Sequence, residues 1–112
     1  MLEAVQTGGH DHAFRCFFED EADRASDIRQ QYMLAHLDFL ERHASTIKAA
    51  GPLSDADGNP AGGLWLVQAN DQEQVQTLVR ADPFWPTGLR RSVRVLAWTQ
   101  VFADGVRGGR LQ

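Results

Sequence analysis

Apolar residues in this chain fall into alternating runs, unbroken runs and helical stripes, and each pattern predicts one kind of element. Phe14, Cys16 and Phe18 alternate onto one face and Ala13, Arg15 and Phe17 onto the other, which predicts a strand over 13–19 with Cys16 pointing into a core. An acidic stretch follows, and Ser26 with Asp27 offers a cap and a favourable charge for a helix N-terminus. From Ile28, a step of about 100° per residue gathers Tyr32, Met33, Ala35, His36, Phe39, Leu40 and His43 on one broad face. Leu34 and Leu37 miss that face, and the helix runs to about residue 43. Residues 46–50 predict a short strand that Gly51-Pro52 stops. Residues 53–63 are irregular, a loop long enough to serve as a lid. Residues 63–69 are apolar on both faces, as expected of a covered central strand. Asn70 with Glu73 approximates a capping box for a helix over 71–81 that turns Val75, Leu78 and Val79 inward. Pro83 ends this helix at Asp82, which continues the inward face by one turn. An aromatic turn, Phe84-Trp85-Pro86-Thr87-Gly88-Leu89, leads to a last and longest strand over 91–102, again largely apolar on both faces.

The order strand, helix, strand, strand, helix, strand is the ferredoxin-like βαββαβ pattern of an α+β fold. It predicts a four-stranded antiparallel sheet with both helices on one face. The other face stays apolar around Trp65 or its neighbours and along the last strand, a patch too large for a monomer. A second subunit packed sheet to sheet, a dimeric α+β barrel, would cover it, so a homodimer is expected.

Composition narrows the class of protein. The 112 residues suffice for one domain, expected over 13–102, between an arm over 1–12 and a glycine-rich flexible tail over 103–112. Eleven Lys and Arg against fifteen Asp and Glu leave a net charge of −4, which argues against a nucleic-acid partner. Arg90, Arg91 and Arg94 cluster, but a solvated strand edge explains them. No apolar run approaches the roughly 20 residues that span a membrane. The lone Cys16 forms no internal disulfide and suits a reducing compartment, so a cytoplasmic location is expected. Asp55, Asp57 and Asn59 begin like a calcium loop, but Pro60 stands where its glycine belongs and Leu66 where its bidentate glutamate belongs. His10-Asp11-His12 offers three donors and no fourth at a recognisable spacing. Neither metal nor other cofactor is expected.

His36 is the residue with chemical potential. A lone histidine on an apolar helix face is by default a core histidine satisfied by one hydrogen bond. The fold changes this by placing Asp82 on the same side of the sheet. A carboxylate paired with an imidazole fixes the tautomer and raises the basicity of the free nitrogen. A purely structural hydrogen bond between the two helices is the competing reading, and spacing alone slightly favours it.

At these residues the chain resembles the YCII-related proteins. The resemblance rests on Ala35-His36-Leu37, Ala50-Gly51-Pro52-Leu53, Asp57-Gly58, Gly62-Gly63, Ala81-Asp82-Pro83-Phe84 and Gly88-Leu89, and on Val93, Val95 and Trp98 near the end. It covers residues 13 to about 102. It implies dimeric α+β barrels of ferredoxin-like subunits and an active-site pair that maps onto His36 and Asp82. One branch of the family includes dehydrochlorinases acting on chlorinated hydroxyquinols, and the same barrel hosts muconolactone-isomerase-like and monooxygenase-like enzymes. Members often carry an Arg three residues before the His. Met33 stands there in this chain, which removes an anion contact at that point and with it the argument for an acidic substrate.

The resulting expectation is a cofactor-free enzyme of lyase, isomerase or hydrolase type. His36 is its general acid/base and Asp82 its orienting partner. Tyr32, Pro52, Phe84 and Trp85 are the candidate substrate-binding residues around a small cyclic or aromatic molecule. The alternative is a non-catalytic small-ligand-binding or interaction module that uses the same pocket.

Overall fold

The computed structural model describes residues 12–108. His10 and Asp11, and with them most of the arm, lie outside the described residues, as do residues 109–112. The elements are β1 (His12–Asp20), α1 (Ala25–Arg42), β2 (Ile47–Ser54), β3 (Pro60–Ala69), α2 (Gln72–Ala81), β4 (Arg90–Ala97) and a small hairpin of β5 (Phe102–Ala103) and β6 (Val106–Arg107). The main sheet has the order β2-β3-β1-β4, and every neighbouring pair is antiparallel. This is the predicted ferredoxin-like α+β fold.

Alternation along β1 and β3 builds the core. Phe14, Cys16 and Phe18 meet Trp65, Val67 and Ala69 on the face that receives Phe39 of α1 and Val75, Leu78 and Val79 of α2. Phe18 and Trp65 pack edge to face at 5.2 Å between ring centres, an arrangement that adds to the burial of two large apolar surfaces. Trp65 therefore faces the helices, so the apolar open face expected at Trp65 or its neighbours is formed by the neighbours. Leu64 and Leu66 face outward instead, as the half-buried members of the β3 alternation. Arg15 joins them there, its guanidinium over the rings of Phe17 and Trp98 at 4.9 and 5.1 Å. In α1, Ile28, His36 and Phe39 are buried, while Leu34 is 79% exposed, as the helical phase requires. Ala35, assigned to the inner face, is exposed at its margin.

Several boundaries differ from the sequence pattern for local reasons. Ser26 lies inside α1 and Arg24 is its N-cap, with no side-chain capping bond. The capping box of α2 sits one residue later than expected: Asp71 accepts from the Gln74 amide at 2.9 Å, and the Gln74 side chain accepts from the Asn70 amide at 2.8 Å. β2 runs through Gly51-Pro52 to Ser54 because it is an edge strand, where a missing N–H need not break a ladder. The expected lid is instead the tip of the β2–β3 hairpin. Asp55 shapes it by accepting from the amides of Asp57 and Asn59, both at 2.9 Å. These bonds, that from the Asn59 amide foremost, hold the Asp55 carboxyl below its usual range. β4 stops at Ala97 because β1, its neighbour, runs out: the Trp98 amide donates to Ala13 O at 2.9 Å, at the end of that ladder. The chain beyond is not tail through residue 108. Asp104 and Gly105, with φ of 55° and 77°, make the tight turn of the β5–β6 hairpin, the Asp-Gly signal for such a turn.

Candidate active site

Asp82 owes its position to Pro83. Proline disfavours helical geometry in the residue before it, and Asp82 adopts φ −64°, ψ 133° and ends α2. The turn is then held from both sides: the Asp82 carboxylate accepts from the Phe84 amide at 3.1 Å, and the Trp85 amide donates to Asp82 O at 2.8 Å. Gly88, at φ 83°, closes the 3₁₀ turn over Trp85–Thr87. This geometry drives the carboxylate into the protein, where Asp82 keeps 2% of its surface.

His36 meets it there. Its Nδ1 lies 2.9 Å from Asp82 Oδ1, and both side chains are buried. The imidazole also stacks on Phe84, with ring centres 4.2 Å apart and planes 20° from parallel. With the carboxylate accepting, Nδ1 carries a proton, and in the neutral ring the lone pair is then on Nε2. Pairing from one side and stacking on Phe84 fix the ring's tautomer and orientation.

The histidine lines a cavity of about 120 Å³ between α1 and the sheet, together with Arg29, Met33, Leu37 and Leu40 of α1, Ala50, Gly51 and Pro52 of β2, Gly63 and Trp65 of β3, and Arg90 of β4. A wider groove of about 550 Å³ shares Arg29, Met33 and Pro52 with it and runs along the start of α1 and the β2–β3 hairpin. Two irregularities in the sheet select which side chains line these spaces. In β2 the pairing passes from Ile47↔Val67 to Ala49↔Leu66, so Lys48 is an extra residue. The pleat changes phase there, and Pro52 comes to lie opposite the inward Gly63. In β4 the pairs are Glu19↔Ser92 and then Asp20↔Arg90, so Arg91 is skipped. Arg90 therefore turns in, with 4% of its side chain exposed, and Arg91 turns out, with 59% exposed.

Arg90 bonds Asp20 through Nη1 at 3.0 and 3.3 Å, and Arg29 bonds the same carboxylate through Nη2. The Arg90 guanidinium lies over the ring of Phe18 at 4.1 Å and near that of Phe84 at 5.3 Å. Gly63 leaves the space: a Cβ there would stand 3.2 Å from Arg90 Nη1.

Of the residues singled out from sequence, the structure brings His36, Asp82 and Phe84 into contact and puts Pro52 on the cavity wall. Tyr32 and Trp85 do not line it. Tyr32 packs against the cluster of Ile28, Phe84 and Leu89, and Trp85 against the main core. The sequence reading missed Asp20, Arg29 and Arg90. Arg90, taken there for part of a solvated edge, is buried. Arg29 carried a legible signal: it precedes His36 by seven residues, about 20° short of two helical turns, and so shares its stripe. Among the described residues no group of three or more His, Cys, Asp or Glu side chains could hold a metal ion. No helix among them is long and apolar enough to cross a membrane.

The fold and the buried pair define a ferredoxin-like α+β protein with a His-Asp site facing a small cavity. The profile of the YCII-related domain matches residues 13–99, and the chain belongs to that family. Among solved structures it is similar to 5-chloro-2-hydroxyhydroquinone dehydrochlorinase from Burkholderia phenoliruptrix in complex with 2,5-dihydroxybenzoquinone, at 26% identity and a TM-score of 0.67 over 77% of this chain and 92% of that one. A "Putative antibiotic biosynthesis monooxygenase" from Bacteroides thetaiotaomicron shares the fold alone, at 10% identity and a TM-score of 0.52 over 90% of this chain and 95% of that one. No curated protein matches the chain.

Proposed function

We propose that this chain is a small enzyme performing acid–base chemistry on a hydroxylated or otherwise activated aromatic or cyclic molecule, with His36 as the general acid/base. The observation that carries this reading is the buried 2.9 Å bond between His36 Nδ1 and Asp82 at the wall of a cavity. Nε2 of His36 takes a proton from a ring hydroxyl or an acidic C–H. The Asp82 carboxylate stabilises the imidazolium formed, which then returns the proton to the product or the leaving group. The likeness to a dehydrochlorinase of a chlorinated hydroxyquinol supports a planar ring as substrate and elimination as one reaction of this type. The protein's own groups suffice for these steps, so the reading needs no cofactor.

The working form is a homodimer. Phe17, Leu64 and Leu66 on the open face of the sheet are only half-buried and Leu96 is 42% exposed, a surface that a second copy would cover. A cytoplasmic location suits the single free thiol.

Turnover of a panel of hydroxylated and halogenated rings by the intact chain, His36→Ala and Asp82→Asn tests the mechanism. Loss of the general base is expected to slow the reaction by roughly 10²–10⁴-fold. Equal rates in all three proteins would refute it, and a bound ring recovered chemically unchanged would favour a binding module instead. Light scattering at micromolar concentration tests the dimer, and a monomeric mass would exclude it.

A further inference from the structure

The cavity beside His36 carries more positive charge than its fold needs. Asp20 is satisfied by Arg90 alone, through two contacts at 3.0 and 3.3 Å. Arg29 brings a second guanidinium to the same carboxylate. Two cations then share one anion, and the charged side chains that line the 120 Å³ cavity besides His36 are those same two arginines. The two acidic neighbours of Asp20 in sequence are engaged elsewhere: Glu19 accepts from Ser92 and Glu21 pairs with Arg91. One carboxylate balances only one of the two cations, and uncompensated charge in a largely dry site is costly. The excess sits on groups with little access to water, since 4% of the Arg90 side chain and 23% of that of Arg29 are exposed. Arg90 Nε is also buried and has no hydrogen-bond acceptor among the described residues.

We propose that Arg29 and Arg90 form an oxyanion subsite that holds the ionised oxygen of a planar ring, a carboxylate or an ionised ring hydroxyl, beside His36. This rests on the reading of the cavity as a substrate site and adds the charge of the substrate. The rest of the cavity fits such a molecule. Met33, Leu40, Pro52 and Trp65 give the ring apolar walls. A dry cavity of about 150 Å³ holds benzene, so about 120 Å³ opening on a groove accepts one ring whose substituents project outward. Asp20 keeps the two guanidiniums in place when the subsite is empty, and its negative charge opposes the incoming anion.

Calorimetric titration of the full chain with benzoate, with its neutral isostere benzamide, with 2,5-dihydroxybenzoquinone as the ionisable ring, and with its non-ionisable counterpart 2,5-dimethoxybenzoquinone tests this. At least one anion is expected to bind more tightly than its neutral counterpart by roughly ten- to a hundredfold, as charge-assisted bonds provide. A preference for benzoate identifies a carboxylate subsite, and one for the quinone an ionised-hydroxyl subsite. Arg29→Gln should lose most of the preference. Asp20→Asn should increase it, a gain that a merely structural cluster would not produce. If Asp20→Asn fails to fold, Arg29→Gln decides alone. The proposal is overturned if neither anion outbinds its neutral partner, if Arg29→Gln keeps the preference, or if a folded Asp20→Asn weakens it. His36→Ala separates the two readings. Turnover lost with the preference intact supports both, and turnover in the intact chain without any anion preference overturns the subsite alone.

Discussion

Replacing Asp82 by Asn and by Ala should give two quite different proteins. One oxygen, Oδ1, accepts both from His36 Nδ1 at 2.9 Å and from the Phe84 amide at 3.1 Å. An asparagine with its carbonyl in that place keeps both bonds, and the two N–H donors exclude the flipped amide. Asp82→Asn therefore loses charge assistance but leaves neither the His36 nor the Phe84 donor unpaired, at a cost of about 1 kcal/mol. Asp82→Ala strands both donors in a site where Asp82 keeps 2% exposure. Each unsatisfied buried donor costs about 1–3 kcal/mol, so the alanine variant should lose about 2–6 kcal/mol, much of the stability of a domain this size. Urea denaturation followed by tryptophan fluorescence measures both, since Trp65 is in the core. Equal midpoints for the two variants would refute the reasoning, because the shared oxygen would then not be holding the turn. If the charge itself serves catalysis, Asp82→Asn will be folded and slow, which separates the carboxylate's structural and chemical parts.

Other consequences are simpler to check. Arg91→Ala should change stability by less than about 0.5 kcal/mol, because its pair with Glu21 is exposed. Arg90→Met should cost about 1.5–3 kcal/mol by removing a charge-assisted bond to Asp20 and the guanidinium packed over Phe18; comparable urea midpoints for the two would mean that the skipped residue in β4 is misplaced. Gly62→Ala should destabilise by more than about 2 kcal/mol, since its Cβ would stand 1.9 Å from Phe18 O at a φ of 90°; a melting temperature within a degree or two of the parent would contradict the close approach of β3 to β1. Burial pushes the Cys16 thiol up to about 12, so a thiol reagent at pH 8 should label the protein only after denaturant unfolds it. Because the unfolded thiol ionises near its ordinary value of about 8.5, this group's contribution to stability is full below that pH and falls as pH rises toward about 12. The sign reverses for Asp55, whose lowered value makes its contribution full at neutral pH and lost as pH falls through the acid range.

The order of elements, the inner faces of both helices and the buried residues of β1 were legible because they depend on spacing between near neighbours. Phe14, Cys16 and Phe18 point inward by alternation, and Ile28, His36 and Phe39 by helical phase. The stop at Pro83 was legible for the same reason, and with it the end of α2 at Asp82. A local rule, the Asp104-Gly105 turn, was also present and yields the β5–β6 hairpin. What only the tertiary structure decided is which residues line the cavity. A strand's inward residues are set by its pairing, and one extra residue on one side of a ladder reverses them. Lys48 does this in β2 and brings in Pro52; Arg91 does it in β4 and brings in Arg90 in its own place. Both shifts depend on contacts between strands far apart in the chain, so no reading of either strand alone distinguishes the buried arginine from the solvated one. His36 and Asp82, 46 residues apart, could each be assigned an inward direction from sequence, but the 2.9 Å between them belongs to the packing of two helices on one sheet.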